Sequence, residues 1–230
     1  MNIKYLHMMV LSLSLLFLMD CAPITSDMQS AKTVGQGGIE ASLNSGGINQ
    51  KTDASDTDGS DDDIISLSVN DKVQENIGGS IAYGVNDRLD LRVRYESIDL
   101  PLAVEAVSVS MLSLGAKYGI IEDKLALFLP YSMYNFDDDS TESVETISPT
   151  VFYTHTLQEK YEITPSLKYI IPLGDIADEN DPGFAFNLGF GYLLNDKITF
   201  RGEWGQYFPG NNPDDSKFTH TTLGLSYKIK

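Results

Sequence analysis

The nine residues Arg88-Leu-Asp-Leu-Arg-Val-Arg-Tyr-Glu96 decide how the rest of the chain is read. Successive side chains of a strand point to opposite faces, so Leu89, Leu91, Val93 and Tyr95 share one side. Arg88, Asp90, Arg92, Arg94 and Glu96 share the other. A soluble strand can alternate in this way too. Three further features separate the cases: the pattern recurs along the chain, tyrosines bound its apolar side, and a secretion-type leader precedes it.

Working outward, the same alternation predicts strands near Val34–Leu43, Asn76–Val85, Arg88–Glu96, Ser110–Ile120, Lys124–Tyr134, Ile147–Thr156, Tyr161–Ile171, Phe184–Leu194, Lys197–Tyr207 and Phe218–Ile229. Each is close to the roughly 9–11 residues that a tilted strand needs to cross a bilayer. Asn86-Asp87, Ile121–Asp123, Leu157–Lys160 and Asn195-Asp196 read as tight turns. Asn44–Glu75, Ser97–Val109, Asn135–Thr146, Pro172–Gly183 and Phe208–Lys217 read as long loops. Short turns on one side and long loops on the other imply an all-β, single antiparallel up-and-down transmembrane β-barrel. The expected count is about ten strands, with eight and twelve the neighbouring even counts. Its place would be the bacterial outer membrane, with both termini periplasmic.

In that orientation Tyr83, Tyr118, Tyr153, Tyr161, Tyr192 and Tyr227 fall at the periplasmic end of the apolar face. Tyr95, Tyr131, Tyr169, Phe184 and Trp204 fall at its outer end. Rings with a polar handle favour a membrane interface, so two aromatic girdles are expected. Between them the face is aliphatic and phenyl, as at Leu91, Leu114, Leu127, Leu167, Phe190 and Leu225. Pro149 and Pro165 interrupt it and predict a bulge or bend, because proline lacks the N–H that a ladder uses. The alternative is a soluble secreted ligand-binding β-barrel, in which this face turns inward.

The opposite parity predicts the lumen lining: Arg88, Asp90, Arg92, Arg94, Glu96, Lys117, Lys124, Glu162, Lys168, Lys197, Arg201 and Glu203, with Glu40 beside them. Cations exceed carboxylates by three. Small inward residues such as Gly78, Gly115 and Gly191 stand next to these long side chains, as a narrow barrel requires. Either the charges pair and close the lumen, or the surplus of cations lines a narrow path for small polar or anionic solutes.

The net charge of -17 leaves no basic patch for nucleic acid. Acidic residues gather in the loops: Asp53 to Asp63, Asp137 to Glu145, Asp175 to Asp181, and Asp214 with Asp215. The stretch 44–75 is expected to be mobile, since its composition buries little apolar surface. Asp56-Thr-Asp58-Gly59 is similar to part of a calcium loop, but Ala54 takes the first ligand position and no glutamate follows at the required distance. No cofactor and no defined metal site is expected. Weak divalent cations would bridge the loops to lipopolysaccharide, and outer-membrane lipid is the expected surrounding.

Lys4 followed by the apolar run Met8 to Met19 reads as a signal peptide over residues 1–20, because the run is too short to span a bilayer. Leu18-Met19-Asp20-Cys21 resembles a lipoprotein signal, with Asp20 where that pattern has a small residue. The resemblance implies lipidation of Cys21, the one cysteine, with 21–32 a periplasmic tether and 33–230 the barrel. The run from Met28 to Glu40 resembles the opening of small outer-membrane barrel lipoproteins, where it leads into the first strand.

After His7 in the leader, His155 and His220 are the remaining imidazole bases. His220 with Asp214 and Asp215 at the outer end resembles the Asp/His arrangement of the ten-stranded omptin proteases. The chain is shorter than an omptin and carries none of that family's motifs. The leading expectation is therefore a non-enzymatic barrel with a structural, surface-interaction or narrow-pore role, and a rim hydrolase is the alternative.

Overall fold

The computed structural model describes residues 26–53, 68–101, 106–137, 143–174, 177, 181–210 and 217–230. Twelve strands follow one another: β1 (Ile39–Asp53), β2 (Ser68–Asn86), β3 (Leu89–Pro101), β4 (Ala106–Ile121), β5 (Leu125–Phe136), β6 (Val144–Ile147), β7 (Thr150–Tyr153), β8 (His155–Leu157), β9 (Tyr161–Leu173), β10 (Gly183–Leu193), β11 (Ile198–Phe208) and β12 (Lys217–Lys228). Every pairing is antiparallel, and β12 returns to β1, so the sheet closes on itself. β6, β7 and β8 together fill one position between β5 and β9, which gives a ring of ten positions. The strands are steeply tilted. Following partners from Asp99 near the far end of β3 through Glu75, Gly47, Thr221, Trp204 and Leu188 descends to Pro165, near the start of β9.

The facing of the strands follows the period-2 pattern. On β3, Asp90, Arg92, Arg94 and Glu96 are buried, while Leu91, Val93 and Tyr95 are about half exposed. Leu127 and Phe190 look outward as well. A soluble barrel with its apolar face inside needs the opposite arrangement and is ruled out. An apolar belt this continuous demands an apolar surrounding.

Pro149 interrupts its strand as expected, whereas Pro165 lies within β9, which runs unbroken and keeps its register with β10. Pro149 separates β6 from β7, yet the wall stays bonded there: the Ser148 N–H donates to the Pro130 carbonyl, and the Tyr169 N–H donates to the Pro149 carbonyl. Pro165 lies level with a second break, at Thr154 between β7 and β8. The tight turns carry their own chemistry. Asn86 Oδ1 accepts the Arg88 N–H, and Asn195 Oδ1 accepts those of Lys197 and Ile198. Gln158 and Glu159 have φ of 51° and 57°, and Lys160 N–H bonds back to Leu157. That is a two-residue hairpin turn of the left-handed kind, closed by residues that rarely adopt it.

Three sequence expectations are corrected. The first strand begins at Ile39 rather than Val34 and runs to Asp53, and β2 begins at Ser68, so 44–53 and 68–75 of the stretch read as a mobile loop are strand, while 54–67 lie outside the described residues. The loop read as Ser97–Val109 is mostly strand, with β3 and β4 paired out to Pro101 and Ala106. Both extensions lack an outward apolar stripe; what holds β3 and β4 there is an inward one, Ile98, Leu100, Val109, Met111 and Tyr134, packed inside the barrel near its loop end. The third correction concerns the tether. Ser26 to Ala31 do not trail away from the barrel but lie buried inside it.

Candidate functional site: the lumen and its strap

Residues 26–31 form a strap through the lumen, with Asp27 and Ser30 only 4% and 2% exposed. Below it, Thr33 bonds the Asp87 carbonyl at the turn end, and Gly37 and Gly38 exchange backbone hydrogen bonds with Gly84 before β1 sets off toward the loop end. Gly84 has to be glycine here, because a Cβ would strike the Gly35 backbone.

The strap is held mainly by its backbone. Glu203 on β11 accepts the N–H groups of Asp27 (2.9 Å) and Met28 (3.1 Å) with its two oxygens. Met28, at φ 48°, turns these successive N–H groups toward one anion, as a backbone nest does. His220 Nε2 stands 3.2 Å from the same carboxylate. On the other side of the strap, Arg92 donates to the Asp27 carbonyl (3.3 Å) and Arg94 to the Ser26 carbonyl. Lys117 donates to the carbonyls of Ser30 (3.3 Å) and Lys32 (2.6 Å). The Asp27 carboxylate pairs with Lys168 at 3.0 Å, and the Ala31 N–H bonds Thr154 Oγ1.

Around the strap the wall charges pair with one another. Asp90 meets Lys117, Arg94 meets Glu96, and Glu162 takes both Arg201 and Lys32, the residue just after the strap. Asn44 donates to Glu96 at 2.6 Å. Inward glycines make room: a side chain on Gly78, Gly191 or Gly205 would run into Glu96, Glu162, or Asn187 and His220. Above this polar layer, Ile48, Ile170, Ala185, Tyr207 and Phe218 form a second apolar cluster beside the Ile98 cluster. The lumen is thus filled in layers, polar below and apolar above.

Nine predicted lumen residues come together here: Asp90, Arg92, Arg94, Glu96, Lys117, Glu162, Lys168, Arg201 and Glu203 are all buried. Arg88, Lys124 and Lys197 do not join them. They are exposed at the tight turns, where the ladder has ended and a cation meets solvent at no desolvation cost. Losing those three removes the apparent cationic surplus, and Asp27 takes the place of Glu40, which is only half-buried. Among the described buried residues, five cations face five carboxylates.

All the predicted girdle residues, Tyr83, Tyr95, Tyr118, Tyr131, Tyr153, Tyr161, Tyr169, Tyr192, Trp204 and Tyr227, are exposed on the outer wall. His155 is exposed as well, while His220, read as a rim residue, is 2% exposed and bound to Glu203. Asp214, Asp215, the stretch Asp56–Gly59 and Cys21 lie outside the described residues.

The structure is similar to an outer membrane channel from Pseudomonas putida F1, at 13% identity and a TM-score of 0.51 over 90% of this chain and 100% of that one. It is less similar to the outer membrane protease OmpT from Escherichia coli, at 10% identity and a TM-score of 0.43 over 87% of this chain and 100% of that one. At these identities the likeness is one of fold. No curated protein matches the sequence. The family described as outer membrane protein beta-barrel domain matches residues 11–228, nearly the whole chain. A closed wall with its apolar side outward and its charges inside is what that match requires, and the chain belongs to the outer membrane β-barrel domain family.

Proposed function

We propose that the protein is a closed outer-membrane barrel with a structural or surface-interaction role, its tight turns in the periplasm and its acidic loops outside. One observation carries this reading: the strap Ser26–Ala31 occupies the middle of the lumen, and the five buried carboxylates there balance the five buried cations. A lumen filled in this way offers no continuous water path, whereas a pore needs one. The loop-end clusters around Ile98 and Phe218 support the same conclusion from above. The His220–Glu203 pair serves to hold the strap, which leaves the imidazole without access to a substrate at the rim. Outside, the loop carboxylates would meet anionic lipopolysaccharide through divalent cations. The test is planar-bilayer recording of the refolded full chain. The expected record shows no unitary currents above the lipid background; discrete anion-selective steps would overturn the closed barrel in favour of a narrow pore.

A further inference from the structure

We infer that the lumen contains a binding site for one small monovalent inorganic anion of halide size, seated against Arg92. The site is a cavity beside the strap, lined by Arg92, Arg94 and Lys168 with Asp27, Ser113 and Ser132. It leaves about 30 Å³ to the centres of water-sized molecules, more than the roughly 10–15 Å³ that one such occupant needs.

The charges around the cavity do not cancel locally. Lys168 is paired with Asp27 and Arg94 with Glu96. Arg92 forms no ion pair among the described residues, and the half-buried Glu40 of β1 acts on it only from farther off. Its one hydrogen bond runs to a neutral carbonyl, that of Asp27, and its Nε has no partner. Arg92 is only 7% exposed, and Nε of Arg94, 8% exposed, is likewise without a partner. A guanidinium removed from water without a directly bonded counter-charge is strongly disfavoured, and one bound anion compensates it. Three cations against two carboxylates leave one positive charge, which sets the anion's valence. Hydroxyls supply the rest of the shell: Ser132 already donates to Ser113, and that pair faces the cavity. The balance of the whole lumen and the surplus at this point are compatible, because Lys117 and Arg201 pair with Asp90 and Glu162, and the remaining carboxylate, Glu203, is met by strap N–H groups and His220 instead of a lysine or arginine.

The inference concerns occupancy and not conduction, so bilayer silence neither supports nor weakens it. Crystals of the refolded chain soaked in bromide should give an anomalous peak within hydrogen-bond reach of Arg92 and Arg94. In detergent, the midpoint of thermal unfolding should rise and saturate with sodium chloride relative to sodium gluconate at the same ionic strength. Arg92→Gln should weaken the apparent chloride affinity by roughly tenfold or more, the worth of one charge-assisted hydrogen bond. Asp27→Asn, which keeps the cationic side chains and removes a competing charge, should strengthen it. A cavity holding water alone gives no bromide peak and identical midpoints in the two salts, and that result overturns the site. So does a chloride response unchanged in both variants.

Discussion

Glu203 shows what a single side chain does in this lumen. Its carboxylate receives two backbone N–H groups of the strap and stands beside His220, all away from solvent. Glu203→Ala leaves these donors unmet and the neighbouring cations under-compensated, so it should cost about 3 kcal/mol of stability, as loss of one partner from a buried pair does. Urea unfolding of the refolded protein in detergent measures this. Glu203→Gln retains one oxygen and should lose less. Gly205 is constrained in another way: a methyl there meets Asn187 and the His220 ring, so Gly205→Ala should destabilise by about 1–3 kcal/mol through overpacking and should shift the His220 resonances. Both outcomes turn on local geometry that residue type alone does not reveal.

Among the elements, the β8–β9 turn is the least suited to its conformation. Gln158 and Glu159 both hold positive φ, where Asn-Gly is the favoured pair. The double substitution Gln158→Asn, Glu159→Gly should therefore raise stability by about 1 kcal/mol or more, read as a higher urea midpoint at unchanged slope. The strands themselves were legible in the sequence because each bilayer-length segment repeats its apolar residues at period two on the outer side, as Leu89, Leu91, Val93 and Tyr95 do. Pro149 marked the broken sixth position for the same reason, through the backbone hydrogen bond that a proline cannot give, while Pro165 sits in an unbroken strand. The strand extensions were not legible, since beyond the apolar belt the outward residues turn polar and imitate loop. The strap was hidden more deeply. Its contacts run mainly through main-chain carbonyls and N–H groups, which every residue has, so Ser26 to Ala31 read as an ordinary polar linker. The excess of cations assigned to the lumen was no trace of it, since that excess came from Arg88, Lys124 and Lys197 at the turns.

For the whole molecule, the apolar belt and the pairing inside it lead to one arrangement of charge. The buried cations and carboxylates cancel, so the net charge of -17 belongs to the remainder of the chain. Asp56, Asp58, Asp61 to Asp63, Asp138, Asp139, Asp214 and Asp215, all outside the described residues, carry much of it. The placement in lipid is open to a direct measurement, because Trp204 is the sole tryptophan and lies on the outer wall. In vesicles made with brominated lipids, its fluorescence should be quenched more by bromines near the headgroups than by bromines at the chain ends, and only weakly by acrylamide from the water. Strong quenching by acrylamide would place the belt outside the bilayer. The strap adds a mechanical consequence. Its fastenings stand on both halves of the wall, Arg94 and Lys117 on one and Lys168 and Glu203 on the other, with the β1–β12 seam between them. It works as a spoke: the hoop cannot widen, or slip register where its ends meet, without tearing at least one fastening loose.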